Sequence, residues 1–213
     1  MTRRRSGRKG GVGAFTLVEL LTAIAIVAIL AAILIPTVNA ARVSANKTRT
    51  RVQFNQWATA IEAFRGEYGF YPSFHASQLV NGGVAGAEHP FHDVVAGRRR
   101  DGTALGSGSA AALQNRKRIS FYAFGEAEFT GTDSPAPNLL CDAFGNVEIA
   151  VLVDRNLDGV IDASDYGGSL PLVGGMRPGA GDFPAAGLRM GVAFYAPAPG
   201  ATTEAPEFIF NWK

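Results

Sequence analysis

The chain has 213 residues, 47% of them apolar, which suits one domain with an appendage and is enough for a real core. Its formal charge of +2 hides a split. Five of the 20 basic residues precede Phe15, leaving 15 against 18 acidic, a net of −3, so a nucleic-acid-binding body is not indicated. The single cysteine, Cys141, excludes an intrachain disulfide framework and reads as a buried thiol rather than a nucleophile, because no histidine is evidently paired with it.

The N-terminus runs from Arg3, Arg4, Arg5, Arg8 and Lys9 through Gly10-Gly11-Val12-Gly13-Ala14 into an apolar stretch from Phe15 to Val38. At ~1.5 Å per residue, those 24 residues reach ~36 Å, enough to span a bilayer core of ~30 Å. The preceding positive charge predicts a cytoplasmic N-terminus, with the body on the far side. A secretory signal peptide would be cut after the apolar stretch, and the small residues at Asn39 to Ala41 leave that reading open. Small residues before the stretch are the less usual feature. Within it lies one carboxylate, Glu19, which is costly in a membrane helix without a partner.

Gly13-Ala14-Phe15-Thr16-Leu17-Val18-Glu19-Leu20-Leu21 resembles the processing and methylation motif of type IV prepilins and type II secretion pseudopilins. The resemblance covers the first quarter of the chain. It implies that prepilin peptidase cuts between Ala14 and Phe15 and methylates the new N-terminal phenylalanine. Glu19 then falls at the fifth mature position and Pro36 at the twenty-second, where pilins often carry a helix-distorting proline. Ala14 departs from the glycine that most members have before the cut, but cleavage after Gly13 would move the glutamate out of place. In an assembled filament the buried Glu19 carboxylate could pair with the Phe15 amine of a neighbouring subunit, so correct register would leave no orphan charge. A plain anchor with Glu19 reaching to the interface is the simpler alternative.

After the apolar stretch, Pro36 should bend the helix, which then continues. Phe54, Trp57, Ile61, Phe64 and Tyr68 are spaced 3, 4, 3 and 4, one helical face, and predict packing on a sheet. Gly66 and Gly69 weaken the helix, and Tyr71-Pro72 ends it. The "YP" step after Glu67-Tyr68-Gly69-Phe70 is similar to that of major pseudopilins. Residues 73 to 118 read as a long loop, with short helices near Ser77–Val80 and Ala110–Asn115. His89-Pro90-Phe91-His92-Asp93 invites a metal reading, but it supplies too few ligands, and Pro90 opposes a helix that would align them, so loop is the expectation. Arg98-Arg99-Arg100 reads as a solvated loop tip, and the glycines match no phosphate-cradling motif.

Leu139 to Asn146 partly resembles the "DPWGNPY" turn of major pseudopilins, with Ala143 and Phe144 in place of proline and tryptophan. Val147 to Val153 is a strong strand candidate, followed by Gly187 to Tyr195 and Phe208 to Trp212. The expected fold class is α+β: a long N-terminal helix packed on a small antiparallel sheet, as in pilins. The segments are a leader (1–14), a transmembrane or filament-core helix (15–38), the amphipathic half of the helix (39–72) and a globular body (73–213).

Within that body, residues 154–165 place Asp154, Asn156, Asp158, Asp162 and Asp165 at positions 1, 3, 5, 9 and 12 of a calcium-type loop. Gly159 at position 6 permits the turn, Val160 would offer its carbonyl, and Ile161 would pin the loop to the core. Aspartate at position 12, in place of glutamate, also occurs in loops like those of dockerin modules. Calcium takes 6 to 8 oxygen ligands, which alternate side chains of a tight loop can supply. The resemblance to major pseudopilins implies the same cation. The alternative is a hairpin turn around Asp158-Gly159 with solvated acids.

Taken together, the residues point to a structural subunit of a type II secretion pseudopilus and not to an enzyme. The implied partners are prepilin peptidase, further copies in a homo-oligomeric filament and an inner-membrane assembly platform. The implied location is the inner membrane, single-pass, with a periplasmic body. Two other classes compete: a type IV pilin of a surface fibre, mildly disfavoured by the missing cysteine pair, and a carbohydrate-binding or other module on a pilin-type anchor.

Overall fold

The computed structural model describes residues 16–213, so Gly13, Ala14 and Phe15 lie outside it. The chain divides into two units, one ending at Val43 and one running from Ser44 to Lys213. Helix α1 (Leu17–Tyr68) begins in the first and ends in the second.

In the first unit, alanine and straight or branched aliphatic side chains keep the helix regular. The helix continues through Pro36, whose missing amide leaves the Ala32 carbonyl without its usual donor. The Thr37 hydroxyl donates to the carbonyls of Leu34 (2.8 Å) and Ile33 (3.3 Å) in the same turn. Large apolar side chains from Leu17 to Val43 are 40–77% exposed, so no protein of this unit covers them. Among the described residues, α1 is the one helix long and apolar enough to cross a membrane.

In the second unit, α1 buries Thr50, Phe54, Trp57, Ala60, Ile61 and Phe64; of the predicted stripe, Phe54, Trp57 and Ile61 pack on the sheet, whereas Phe64 and the half-buried Tyr68 join Val94, Leu105 and Ala111 instead. Gly69 ends it in the left-handed region (φ 79°), its amide donating to the Arg65 carbonyl at 2.7 Å. The sheet is antiparallel, in the order β1 (Ala150–Val153), β2 (Val192–Pro197), β3 (Phe208–Phe210). Ala150 stands opposite Tyr195, which stands opposite Phe210.

Every β1 residue is buried because both sheet faces are covered. Val151, Val153, Val192, Phe194 and Ala196 join Phe54, Trp57, Ile61 and Phe91 in one cluster. Phe54 stacks on Phe194 with ring centres 5.6 Å apart. The alternate residues Ala150, Leu152, Ala193, Tyr195, Phe208 and Phe210 pack under Ile161, Val173, Met176, Phe183 and Leu188 from the C-terminal loops. The layout is α+β, with helix, sheet and loops in layers.

Two local expectations need correction. His89 to Asp93 is not a loop: helix α2 spans Pro90–Ala96. Pro90 opens that helix, where a missing amide costs nothing, and the His89 side chain caps it by accepting from the His92 amide. The segment Ser77–Val80 is not a helix. Gln78 turns it with φ 54°, and Leu79 then bridges Ala150 on the outer edge of β1. Helix α3 (Ala110–Gln114) forms where the pattern placed it, capped by Ser109. All three strands are shorter than the apolar runs that announced them.

Candidate functional site

The first candidate region is the start of α1. Thr16 sits just before the helix, and its amide and hydroxyl both donate to Glu19 Oε2 at 2.8 Å. The Glu19 amide in turn donates to Thr16 Oγ1 at 3.2 Å. This is a capping box, in which two otherwise orphaned amides are satisfied reciprocally. Thr-x-x-Glu ahead of an apolar run is its signature, so the sequence itself carries the signal for Thr16. The carboxylate also lies at the N-terminal end of the helix dipole, where negative charge is favoured. Glu19 thus has a local partner within its own chain. Whether the Phe15 amine also faces it lies outside the described residues.

The second region is the loop 154–165, between β1 and α4 (Ala163–Tyr166). Asp154 and Asp165 are 1% and 2% exposed, so two carboxylates are buried at its root. Asp154 accepts the amides of Asp158 (3.2 Å, Oδ1) and Gly159 (2.8 Å, Oδ2). Asn156 Oδ1 accepts the Asp158 amide at 3.0 Å, and Asp158 Oδ1 the Val160 amide at 2.9 Å. Asp165 accepts from the amides of Arg155 (2.7 Å) and Asp162 (3.0 Å). Asp162 caps α4 through the Ser164 amide at 2.8 Å. The Ser164 hydroxyl and amide hold the Asp162 carboxyl below the usual carboxylate range.

Left-handed residues make this winding possible, Leu157 at φ 63° and Gly159 at φ 85°. Ile161 is fully buried and exchanges two backbone hydrogen bonds with Leu188, which pins the loop to the body as the pattern anticipated. Among the described residues, no group of three or more His, Cys, Asp or Glu side chains is placed to hold a metal ion as it stands. The donor chemistry nevertheless suits a hard cation. Each carboxylate oxygen carries two lone pairs, so one amide bond per oxygen leaves further acceptor capacity.

A third cluster is structural. His89 Nε2 lies 3.0 Å from Asn81 Oδ1, while His89 Nδ1 accepts the His92 amide at 3.2 Å. Both ring nitrogens are therefore engaged, and the tautomer with hydrogen on Nε2 is fixed by geometry. His92 Nδ1 meets Asp93 Oδ1 at 3.0 Å, and the other Asp93 oxygen accepts the His89 amide. Burial, with His92 second, lowers the His89 pKa to about 4. Such a cluster braces a loop and leaves no histidine nitrogen of His89 for a metal. Cys141 is buried as expected, and burial pushes its thiol pKa up, away from nucleophilic use.

No protein-family model, curated protein or solved structure matches this chain.

Proposed function

We propose that this chain is a membrane-anchored structural subunit of a pseudopilin-like filament, processed by prepilin peptidase and working in protein secretion. The observation that carries the reading is the exposed apolar half of α1, with Glu19 five residues after the Ala14–Phe15 junction. An apolar helix of that length needs lipid or neighbouring helices around it. In the membrane, lipid serves. In a filament, the same side chains would pack on those of other copies, and Glu19 would face the amine freed at Phe15. Its capping bonds with Thr16 leave the second carboxylate oxygen available for that partner.

The body then needs a rigid shape on the outer side of the membrane. Calcium is the cation assigned to the acid loop, with Asp154, Asn156, Asp158, the Val160 carbonyl, Asp162 and Asp165 as the residues that would hold it. When bound, it supplies the positive charge that offsets repulsion among four carboxylates. The chain itself fixes the loop against β1, α4 and Leu188.

Mass spectrometry of the mature protein tests the central claim. The expected species begins at Phe15 with a methylated amine. A mature chain beginning near residue 40 would instead make the apolar first half of α1 a removable signal sequence and would sink the proposal.

A further inference from the structure

The arginines at 98–100 are not the solvated tip that their run suggests. The side chains of Arg99 and Arg100 are half-buried and pair with Glu88 (3.3 Å) and Glu126 (3.0 Å). A second basic run, Arg116-Lys117-Arg118, adjoins their loop. Gly97 (φ 67°) approaches it so closely that a Cβ would meet the carbonyl oxygens of Arg118 and Ile119 at 2.7 Å. The fully buried Asn115 fastens the join, its Nδ2 donating to the carbonyls of Val94 (2.9 Å) and Ile119 (2.7 Å). The Arg118 side chain reaches into the loop after Arg100, where Nη2 donates to the Leu105 carbonyl at 3.2 Å.

Six cations therefore come from two adjoining loops. Lys117 pairs with Glu67, and Asp101 is engaged by the amide and hydroxyl of Thr103. Arg98, Arg116 and Arg118 are exposed, and among the described residues no Asp or Glu pairs with them. Six cations against the four acids Glu67, Glu88, Asp101 and Glu126 leave this region at +2, whereas the rest of the Ser44–Lys213 unit carries eight basic against 13 acidic residues, −5. Charge so segregated makes the unit complementary to itself. Head-to-tail contacts join two different faces of one chain, and net-negative bodies repel unless the cationic region of one meets the acidic surface of the next. The planar fork of arginine suits carboxylates. We propose that Arg98, Arg116 and Arg118 form a contact surface for the acidic surface of a second copy of this chain. This rests on the filament reading above, and adds to it the part of the body that joins one copy to the next.

The experiment is sedimentation of the full-length, detergent-solubilised protein over a concentration series, in about 0.1 M and about 1 M sodium chloride. That change shortens the screening length from about 10 Å to about 3 Å, so contacts between exposed charges weaken. The comparison is between wild type, the triple variant Arg98→Gln/Arg116→Gln/Arg118→Gln and the triple lysine variant at the same positions. Lysine keeps the charge but loses the Arg118 bond to Leu105, so it controls for folding. Wild type should self-associate in low salt and dissociate in high salt. The glutamine variant should associate about tenfold more weakly in low salt, the sum over three exposed pairs, and the lysine variant should keep most of the affinity. Wild-type association by the glutamine variant overturns the inference and leaves the filament reading standing. An equal loss in both variants also overturns it, since a change in the fold would explain that. Association that appears only when phosphatidylglycerol is added to the micelles assigns the arginines to lipid and overturns it too. A mature N-terminus near residue 40 removes the filament reading itself, and the inference with it.

Discussion

Thr16 and Glu19 satisfy each other across the first turn of α1, two bonds of 2.8 Å running to one carboxylate oxygen. The acid that looks unpaired in the sequence is a helix cap within its own chain. Its local and intermolecular roles can be separated by substitution. Glu19→Ala should insert and be processed but fail to enter filaments. Thr16→Val removes the hydroxyl bonds of the cap, leaves the backbone amide bond and keeps the charge, so it should still be incorporated. Recovery of each variant in sheared or cross-linked filaments, read by immunoblot, decides the matter. Equal incorporation of Glu19→Ala and wild type would sink the pairing with Phe15.

Calcium removal gives the next outcome. The wild-type melting temperature should rise in calcium and fall in excess chelator, by mass action on the folded state. Asp154→Asn and Asp165→Asn should abolish the difference, since both carboxylates sit buried at the root of the loop. Identical melting in calcium and chelator would remove the cation from the account.

Acid should loosen the body through His89. Folding lowers its pKa from 6.5 to about 4, chiefly by burial, with His92 and Arg100 adding to the effect and Asp93 opposing it. The unfolded chain therefore takes up the proton first as pH falls. The contribution is complete above about 6.5 and is lost between there and about 4, for a total of roughly 3 kcal/mol. Denaturant midpoints across that range should decline in wild type and decline less in His89→Gln, which can still donate to Asn81.

Trp57 is the centre of the α1–sheet contact. It is fully buried, its ring lies 5.5 Å from Phe91 and 5.8 Å from Phe194, and its Nε1 donates to Glu128 at 3.0 Å. Trp57→Ala should cost about 3–5 kcal/mol in urea unfolding, whereas Trp57→Phe should cost less. A change under 1 kcal/mol for alanine would place the core elsewhere.

Gly191 matters for space. A Cβ there would strike the Tyr71 hydroxyl and the Glu62 carboxylate, which are joined by a 2.8 Å hydrogen bond. Gly191→Ala should destabilise by about 1–3 kcal/mol. Adding Tyr71→Phe removes one of the struck atoms, so the double variant should lose less than the sum of the two singles, as a thermal-melt double-mutant cycle would measure.

Much of this molecule is local and was readable before folding. The apolar run, the 3–4 spacing from Phe54 to Tyr68 and the turn glycines at 69 and 159 depend only on residues within a few positions of one another. The acid loop is equally local. Its oxygens bond amides two to five residues away in most cases, so its winding follows from its own sequence. Pro90 was misread because one residue type serves both to break a helix and to start one, and only the His89 cap distinguishes the two uses.

What tertiary structure decided is long in range. The sequence cannot show that β1 is buried on both faces, because most of its second cover, Val173, Phe183 and Leu188, arrives from loops 20 or more positions further along the chain. Nor can it show that Asn81 ties His89 to the Leu140 and Val147 carbonyls, or that Gln78 reaches Asp165 across 87 positions. Those bonds exist because the sheet edge brings distant backbone together, and no periodicity records them. The exposed half of α1 is the converse case. Its composition alone fixes that it needs an apolar surrounding, and a single chain cannot supply one.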